Sequence, residues 1–314
     1  MKTRRDFVKS TLALGAAFSI IDLGGLFAAT ASTPSATTTP ETTGPKPILV
    51  AVRDGDRVAM LDKALAELGG IQAFVKPGQT VVIKPNIGWN ASPERGANTH
   101  PDIVAHLTTL CLSAGAKSVS VFDNTCDPWQ ETYDISGIGK AAKDAGAVVV
   151  NGKDETLYRE VTIPGAVLLK TAKVHSLVLD SDVFINVPVL KHHQATQMTS
   201  AMKNLMGVIW DRRFYHTEGL DQCIADLLTL RKPALNIVDA YHPMVRNGPR
   251  GKTVEDVVEM RTLLASTDIV AVDAAAAKLL GHAPGDIKHV KIGHDMKLGR
   301  MDLENVDIRR HKLA

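Results

Sequence analysis

A chain of 314 residues with 36 basic and 34 acidic side chains has no charge excess with which to hold nucleic acid or an anionic lipid surface. Its three cysteines, Cys111, Cys126 and Cys223, are scattered and odd in number, so they imply no disulfide framework. They form no C-x-x-C pair, so no thiolate site for zinc and no iron–sulfur cluster is expected.

The chain opens on a basic head, Arg4 and Arg5, followed by an apolar run from Thr11 to Ile21. That run is shorter than the ~20 residues a membrane helix needs. Ala29-Thr30-Ala31 supplies the small residues that a signal peptidase reads. With TRRDFVK at Thr3–Lys9, the segment resembles a twin-arginine signal. The resemblance implies a signal over residues 1–31, passage through the twin-arginine export machinery, and a periplasmic or extracellular protein. No stable membrane span is expected in the mature form; an uncleaved membrane anchor is the alternative. Residues 32–46, STPSATTTPETTGPK, lack apolar periodicity and read as a flexible tether. Residues 47–314 are enough for one large α/β domain or two smaller ones.

From residue 47 onward short strands alternate with helices. Pro47–Asp54 and Gln79–Asn86 read as strands, with a glycine-stopped helix, Asp56–Gly70, between them. His100–Ala116 is a helix with Pro101 at its start and Gly115 near its end. Lys117–Asn124 is a strand, Ser136–Ala147 a short helix and Val148–Asn151 a strand. Asp182–Lys191 is a strand, and Thr196–Gly207 and Gly219–Lys232 are helices. Ala234–Ala240 and Arg261–Thr267 are strands, and Asp268–Gly281 is a helix capped by Thr267 or Asp268. This alternation predicts an α/β fold: a mostly parallel sheet flanked by helices on both faces, in one body or two α/β lobes.

Ligands of open α/β sheets bind beyond the carboxyl ends of the strands. Four predicted strands end in ionisable residues: Lys84 with Asn86, Asp123 with Asn124, Lys191 with His192 and His193, and Asp239. On one edge, two lysines and two aspartates make either an ion-pair network or an anion site with acid–base groups. At 100° per residue, the helix predicted over Thr196–Gly207 has two faces. Met198, Ala201, Met202, Leu205 and Met206 form a packing face, and Thr199, Ser200, Lys203 and Asn204 a donor-rich face with no acid. Donors and macrodipole near a helix start favour a bound anion. His192 and His193 point to opposite sides of an extended chain, so one of them can face a given ligand. His100, His216 and His242 are further candidates, and the long polar loop Pro85–Thr99 has the length of a functional one. There is no H-E-x-x-H, no P-loop and no G-x-S-x-G elbow.

These residues resemble a bacterial and archaeal family known as domain of unknown function 362. Its pattern has I-K-P-N, here Ile83–Asn86, then P-x-L-K-x-H, here Pro188–His193, then T-x-x-x-K-N-x-x-G, here Thr199–Gly207. A histidine (His216), V-D (Val238–Asp239), G-P-x-x-G (Gly248–Gly251) and A-V-D (Ala271–Asp273) follow in the same order. The resemblance selects His193 over His192. It departs at Val245 and Arg246, where many relatives carry an acid before G-P. Some relatives carry an appended ferredoxin-like segment, for which this chain lacks the cysteines.

The expectation is an exported enzyme acting on a small anionic metabolite. Lys84, Lys191 and Lys203 would hold or polarise its acid groups, and His193 or Asp239 would move a proton. Asn86, Asp123, Thr199, Ser200, Asn204 and His216 would complete the ligand site. The alternatives are a non-catalytic periplasmic binding or cofactor-handling protein, and a metal-dependent enzyme using His193, His216 and aspartates. The cofactor, if there is one, is not named by the sequence.

Overall fold

The computed structural model describes residues 2–3 and 46–314. Apart from Lys2, Thr3 and Lys46, the expected signal and tether lie outside the described residues. The strands in chain order are β1 (Lys2–Thr3), β2 (Ile48–Arg53), β3 (Thr80–Pro85), β4 (Ser118–Val121) and β5 (Val148–Val149). They continue with β6 (Tyr158–Thr162), β7 (Thr171–His175), β8 (Val183–Val187), β9 (Val189–His193) and β10 (Gln197–Thr199). The last four are β11 (Leu235–Met244), β12 (Val258–Glu259), β13 (Thr262–Ser266) and β14 (Asp307–Lys312).

One sheet of ten strands runs through the protein in the order β14-β2-β13-β11-β8-β3-β4-β5, with β9 and β10 attached beside β11. A continuous sheet replaces the alternative of two lobes. Its pairings are parallel except those of β13 with β11 and β2, and of β10 with β9. Antiparallel neighbours can be joined without a crossover helix, which parallel neighbours require. β11 and β13 are joined by such a helix-free stretch, residues 245–261, apart from one 3-10 turn and β12.

Alternation along the strands feeds two cores. Val50 and Val52 of β2 pack with Val81, Ile83, Val119 and Val121 under the helices Arg57–Glu67 and Pro101–Ser113. Leu49 and Ala51 point the other way, into a core with Val82, Phe184, Val238 and the helix Ile269–Leu279. A sheet covered on both faces is what the near-continuous apolar strands require. Asp268 caps Ile269–Leu279 by accepting from the amides of Val270 and Ala271, as its position before the apolar run implies.

Two expectations about elements are corrected. Thr196–Gly207 is not one helix: Gln197–Thr199 is a strand, paired with β9 so that Met198 faces His192 and Thr199 faces Lys191. The helix starts only at Ala201, runs to Asn204, and tightens into a 3-10 turn over Leu205–Val208. Hairpin pairing with β9 supplies the backbone partners that a first helical turn would otherwise need. The anion at the start of this short helix is internal, because the buried Asp273 carboxylate accepts from the amides of Ala201 (2.6 Å) and Met202 (2.9 Å). Likewise, Asp239 does not end a strand. β11 runs on to Met244, held by β9 on one side and β13 on the other.

Asp273→Ala strands two buried amides. It is expected to cost about 1–3 kcal/mol, read as a lower urea midpoint at unchanged slope; an unchanged midpoint would show that the Asp273 carboxylate does not hold the helix in place.

Candidate functional site

β3, β4 and β9 carry their polar residues to one end of the sheet, and the Ala201–Val208 segment lies across it. Between them opens a cleft of about 500 Å³, lined by Lys84, Asn86, Asp123, Lys191, His193, Thr199, Lys203, Asn204 and His216. Nine of the expected site residues thus meet in one place. Ser200 and Asp239 do not line it. Ser200 is buried beside Asp273. Asp239 lies at a separate cluster, 3.7 Å from Arg57, where it accepts from the amides of His100 and Tyr241. His242 joins that cluster through Arg57 at 3.1 Å. Pleating also separates the paired histidines: His193 lines the cleft, while His192 Nδ1 accepts from the Gly248 amide.

The floor of the cleft is a buried ion pair. Lys84 Nζ lies 2.8 Å from Asp123 Oδ1 and donates to Asn204 Oδ1 (3.0 Å) and to the Pro85 carbonyl (2.8 Å). Those three acceptors match the three hydrogens of an ammonium. Asp123 Oδ2 accepts from the Ile87 amide. Asn204 Oδ1 also accepts from Asn86 Nδ2, and Asn204 Nδ2 donates to Asn186, which donates in turn to Asn236. Burial pulls the pKa of Lys84 down, and the Asp123 charge opposes it.

The other two lysines are held differently. Lys191 Nζ donates to Asn86 Oδ1 (3.0 Å) and to the Ala97 carbonyl, and has no carboxylate beside it among the described residues. Burial lowers its pKa to about 7. Lys203 Nζ has only the Met206 sulfur, at 3.2 Å, as a partner among the described residues. Burial lowers its pKa to about 8. The pKa of His193 falls to about 2, first through burial and then through Lys203 and Lys191. Its Nδ1 accepts from the Ala195 amide at 3.1 Å, which assigns the ring hydrogen to Nε2. Thr199 Oγ1 is buried without a hydrogen-bond partner.

Sequence reasoning missed Trp89, Cys126, Arg212, Arg213 and Pro249, all of which line the cleft. Trp89 sits in the loop singled out for its length. Arg212 and Arg213 follow the helix within a few residues, a signal that was available. Arg212 donates to the Thr125 carbonyl and, at 3.5 Å, to Cys126 Sγ, and has no carboxylate partner among the described residues. Arg246 pairs with Asp256 at 3.0 Å and ties the turn after β11. Among the described residues no group of three or more His, Cys, Asp or Glu side chains could hold a metal ion. The proposed ligand set of His193, His216 and aspartates is therefore not assembled. No helix of the described residues is long and apolar enough to cross a membrane.

The pattern of the family described as "Domain of unknown function (DUF362)" matches residues 81–278, which takes in Lys84, Lys191, Lys203 and Asp273. A thylakoid-associated protein of Synechocystis sp. is 29% identical over 252 residues, covering 74% of this chain and 73% of its own. Among solved structures, the lactate racemase apoprotein from Thermoanaerobacterium thermosaccharolyticum aligns at TM-score 0.43 and 12% identity, over 69% of this chain and 54% of that one. A structural-genomics protein from Thermotoga maritima aligns at TM-score 0.43 and 12% identity, over 77% and 60%. This chain therefore spans less than two thirds of either solved chain.

A Cβ on Gly207 would lie 1.8 Å from Asp123 Oδ1 and 2.7 Å from Lys84 Nζ. Gly207→Ala is therefore expected to cost about 1–3 kcal/mol in urea denaturation. Lys84→Met, which strands a buried carboxylate, should cost about 3–5 kcal/mol, with much of the loss recovered in Lys84→Met/Asp123→Leu. A double variant no more stable than Lys84→Met would show that the pair is not the structural unit described.

Proposed function

The chain belongs to the family of domain of unknown function 362, and we propose that its cleft binds a small anionic metabolite and acts on it as an enzyme. The observation that carries this reading is Lys203, a nearly buried cation facing the cleft with no carboxylate beside it among the described residues. An unpaired buried charge is costly unless a partner arrives. Arg212 and Arg213 line the same space, and its acid, Asp123, is already committed to Lys84. A carboxylate or phosphate would meet Lys203, Arg212 and the Thr199 hydroxyl, with the Nε2 hydrogen of neutral His193 as a further donor.

Roles follow from the hydrogen-bond inventory. Lys84 braces the floor and has no hydrogen to spare. Lys191, at about 7, is the group that exchanges a proton near neutral pH. His193, at about 2, stays neutral and donates rather than titrates. Export by the twin-arginine route, argued from Arg4, Arg5 and the Thr11–Ile21 run, belongs to the same proposal.

Calorimetric titration with phosphate, pyruvate and lactate tests the binding. Lys203→Met is expected to weaken the best of these about 10- to 100-fold. The sign with pH is fixed by the lowered lysine values: Lys203 is charged below about 8 and Lys191 below about 7. Affinity should therefore fall as pH rises through 7 to 8 or above, since a bound anion holds both protons longer. Unchanged affinity in Lys203→Met, or affinity that rises with pH, would sink the reading.

A further inference from the structure

We propose that Lys191 is a nucleophile that forms an imine with a small carbonyl compound bearing an anionic group, such as an oxo acid or a phosphorylated aldehyde. The proposal rests on the anion-binding reading of the same cleft and goes beyond it by naming the reacting group and the substrate class.

An ammonium carries three N–H bonds and no lone pair, and a neutral amine carries two N–H bonds and one lone pair. Lys84 has three acceptors around it, one of them a carboxylate. It is built to hold an ammonium. Lys191 has two acceptors, Asn86 Oδ1 and the Ala97 carbonyl, and both are neutral. That environment suits a neutral amine, whose two hydrogens take those acceptors and leave the lone pair in the remaining direction. Lys191 lines the cleft, the space a ligand would occupy. Fixing both hydrogens also fixes the aim of the lone pair, which an exposed lysine cannot do.

Burial agrees with that count. Desolvation is the largest effect on Lys191 and disfavours a third ammonium; Cys126 and Asp123 oppose it, and Lys203 and Lys84 add smaller effects in the same direction as burial. A lysine desolvated next to other cations is a recognised way of making a nucleophile. Lys203 and Arg212 remain to take the anionic group of the substrate.

In the step itself the nitrogen lone pair forms the C–N bond as the carbonyl π pair moves to oxygen. Both nitrogen hydrogens then leave with that oxygen as water, giving a neutral imine. No oxidant or reductant is consumed.

The test uses the mature protein with pyruvate, as a carboxylate probe, and glyceraldehyde 3-phosphate, as a phosphate probe, each trapped with borohydride and read by peptide mass spectrometry. A reduced adduct is expected on Lys191, absent in Lys191→Arg, with the productive probe telling carboxylate from phosphate. At pH 7 Lys191 has on the order of 10³ times the free-amine fraction of an ordinary lysine, so it should be labelled well ahead of surface lysines. At saturating probe the trapping rate should level off between about pH 7 and 8 instead of climbing toward 10. Pyruvate or glyceraldehyde 3-phosphate that binds calorimetrically but leaves Lys191 unlabelled overturns the imine and leaves the anion site standing. Absence of binding by every anion tested overturns both. Labelling spread over surface lysines and equal in Lys191→Arg also overturns the imine.

Discussion

The site depends on one buried ion pair. Lys84 and Asp123 come from adjacent parallel strands, β3 and the end of β4, and meet under the segment that carries Asn204 and Gly207. Taking two charges out of water is costly, and their mutual attraction offsets that cost only when the remaining hydrogens and lone pairs are satisfied. Here Asn204 and the Pro85 carbonyl take the remaining ammonium hydrogens, and the Ile87 amide donates to the other carboxylate oxygen. The geometry reaches into the sequence: position 207 has no room for a side chain because the carboxylate occupies it. The loop after β3 is anchored to the same carboxylate, so the pair sets where Asn86 and Trp89 lie.

Around that brace the three lysines form a graded series. Lys84 has three acceptors including a charge, Lys191 has two neutral ones, and Lys203 has a sulfur. Burial acts on all three, yet its consequence differs with what each finds nearby. The first remains part of the framework. The second is held by neutral acceptors alone. The third faces the cleft with a sulfur as its partner among the described residues. The ladder of Asn204, Asn186 and Asn236 beneath them connects the cleft to the centre of the sheet through neutral hydrogen bonds, which hold position without adding charge.

The helix under the cleft shows the same economy of parts. Its first amides are taken by Asp273, a residue from the helix Ile269–Leu279 on the same side of the sheet. A feature that in the sequence alone reads as an open anion site at a helix start is filled by the protein's own carboxylate. The positive charge lining the cleft comes instead from side chains, Lys203 and Arg212 among them. Asp239 teaches the complementary lesson. Its place after an apolar run reads as a strand end, yet β11 continues to Met244 and carries Asp239 to the cluster with Arg57 and His100.

The α/β architecture, the covered sheet and the gathering of Lys84, Asp123 and Lys191 at one edge were legible in the chain, because apolar runs and their polar ends record burial and direction locally. The separation of His192 from His193 was legible for the same reason, since pleating depends on nothing distant. The break of Thr196–Gly207 into strand and short helix was not, because it is decided by pairing with β9 and by Asp273, 72 residues away. Nor could the sequence rank the three lysines. Their difference lies in how many acceptors surround each nitrogen, and those acceptors come from residues as far apart as 86, 97, 123 and 204. Residue type determined that lysines and polar groups would gather at this edge; only packing decided which lysine is paired with a carboxylate and which are not.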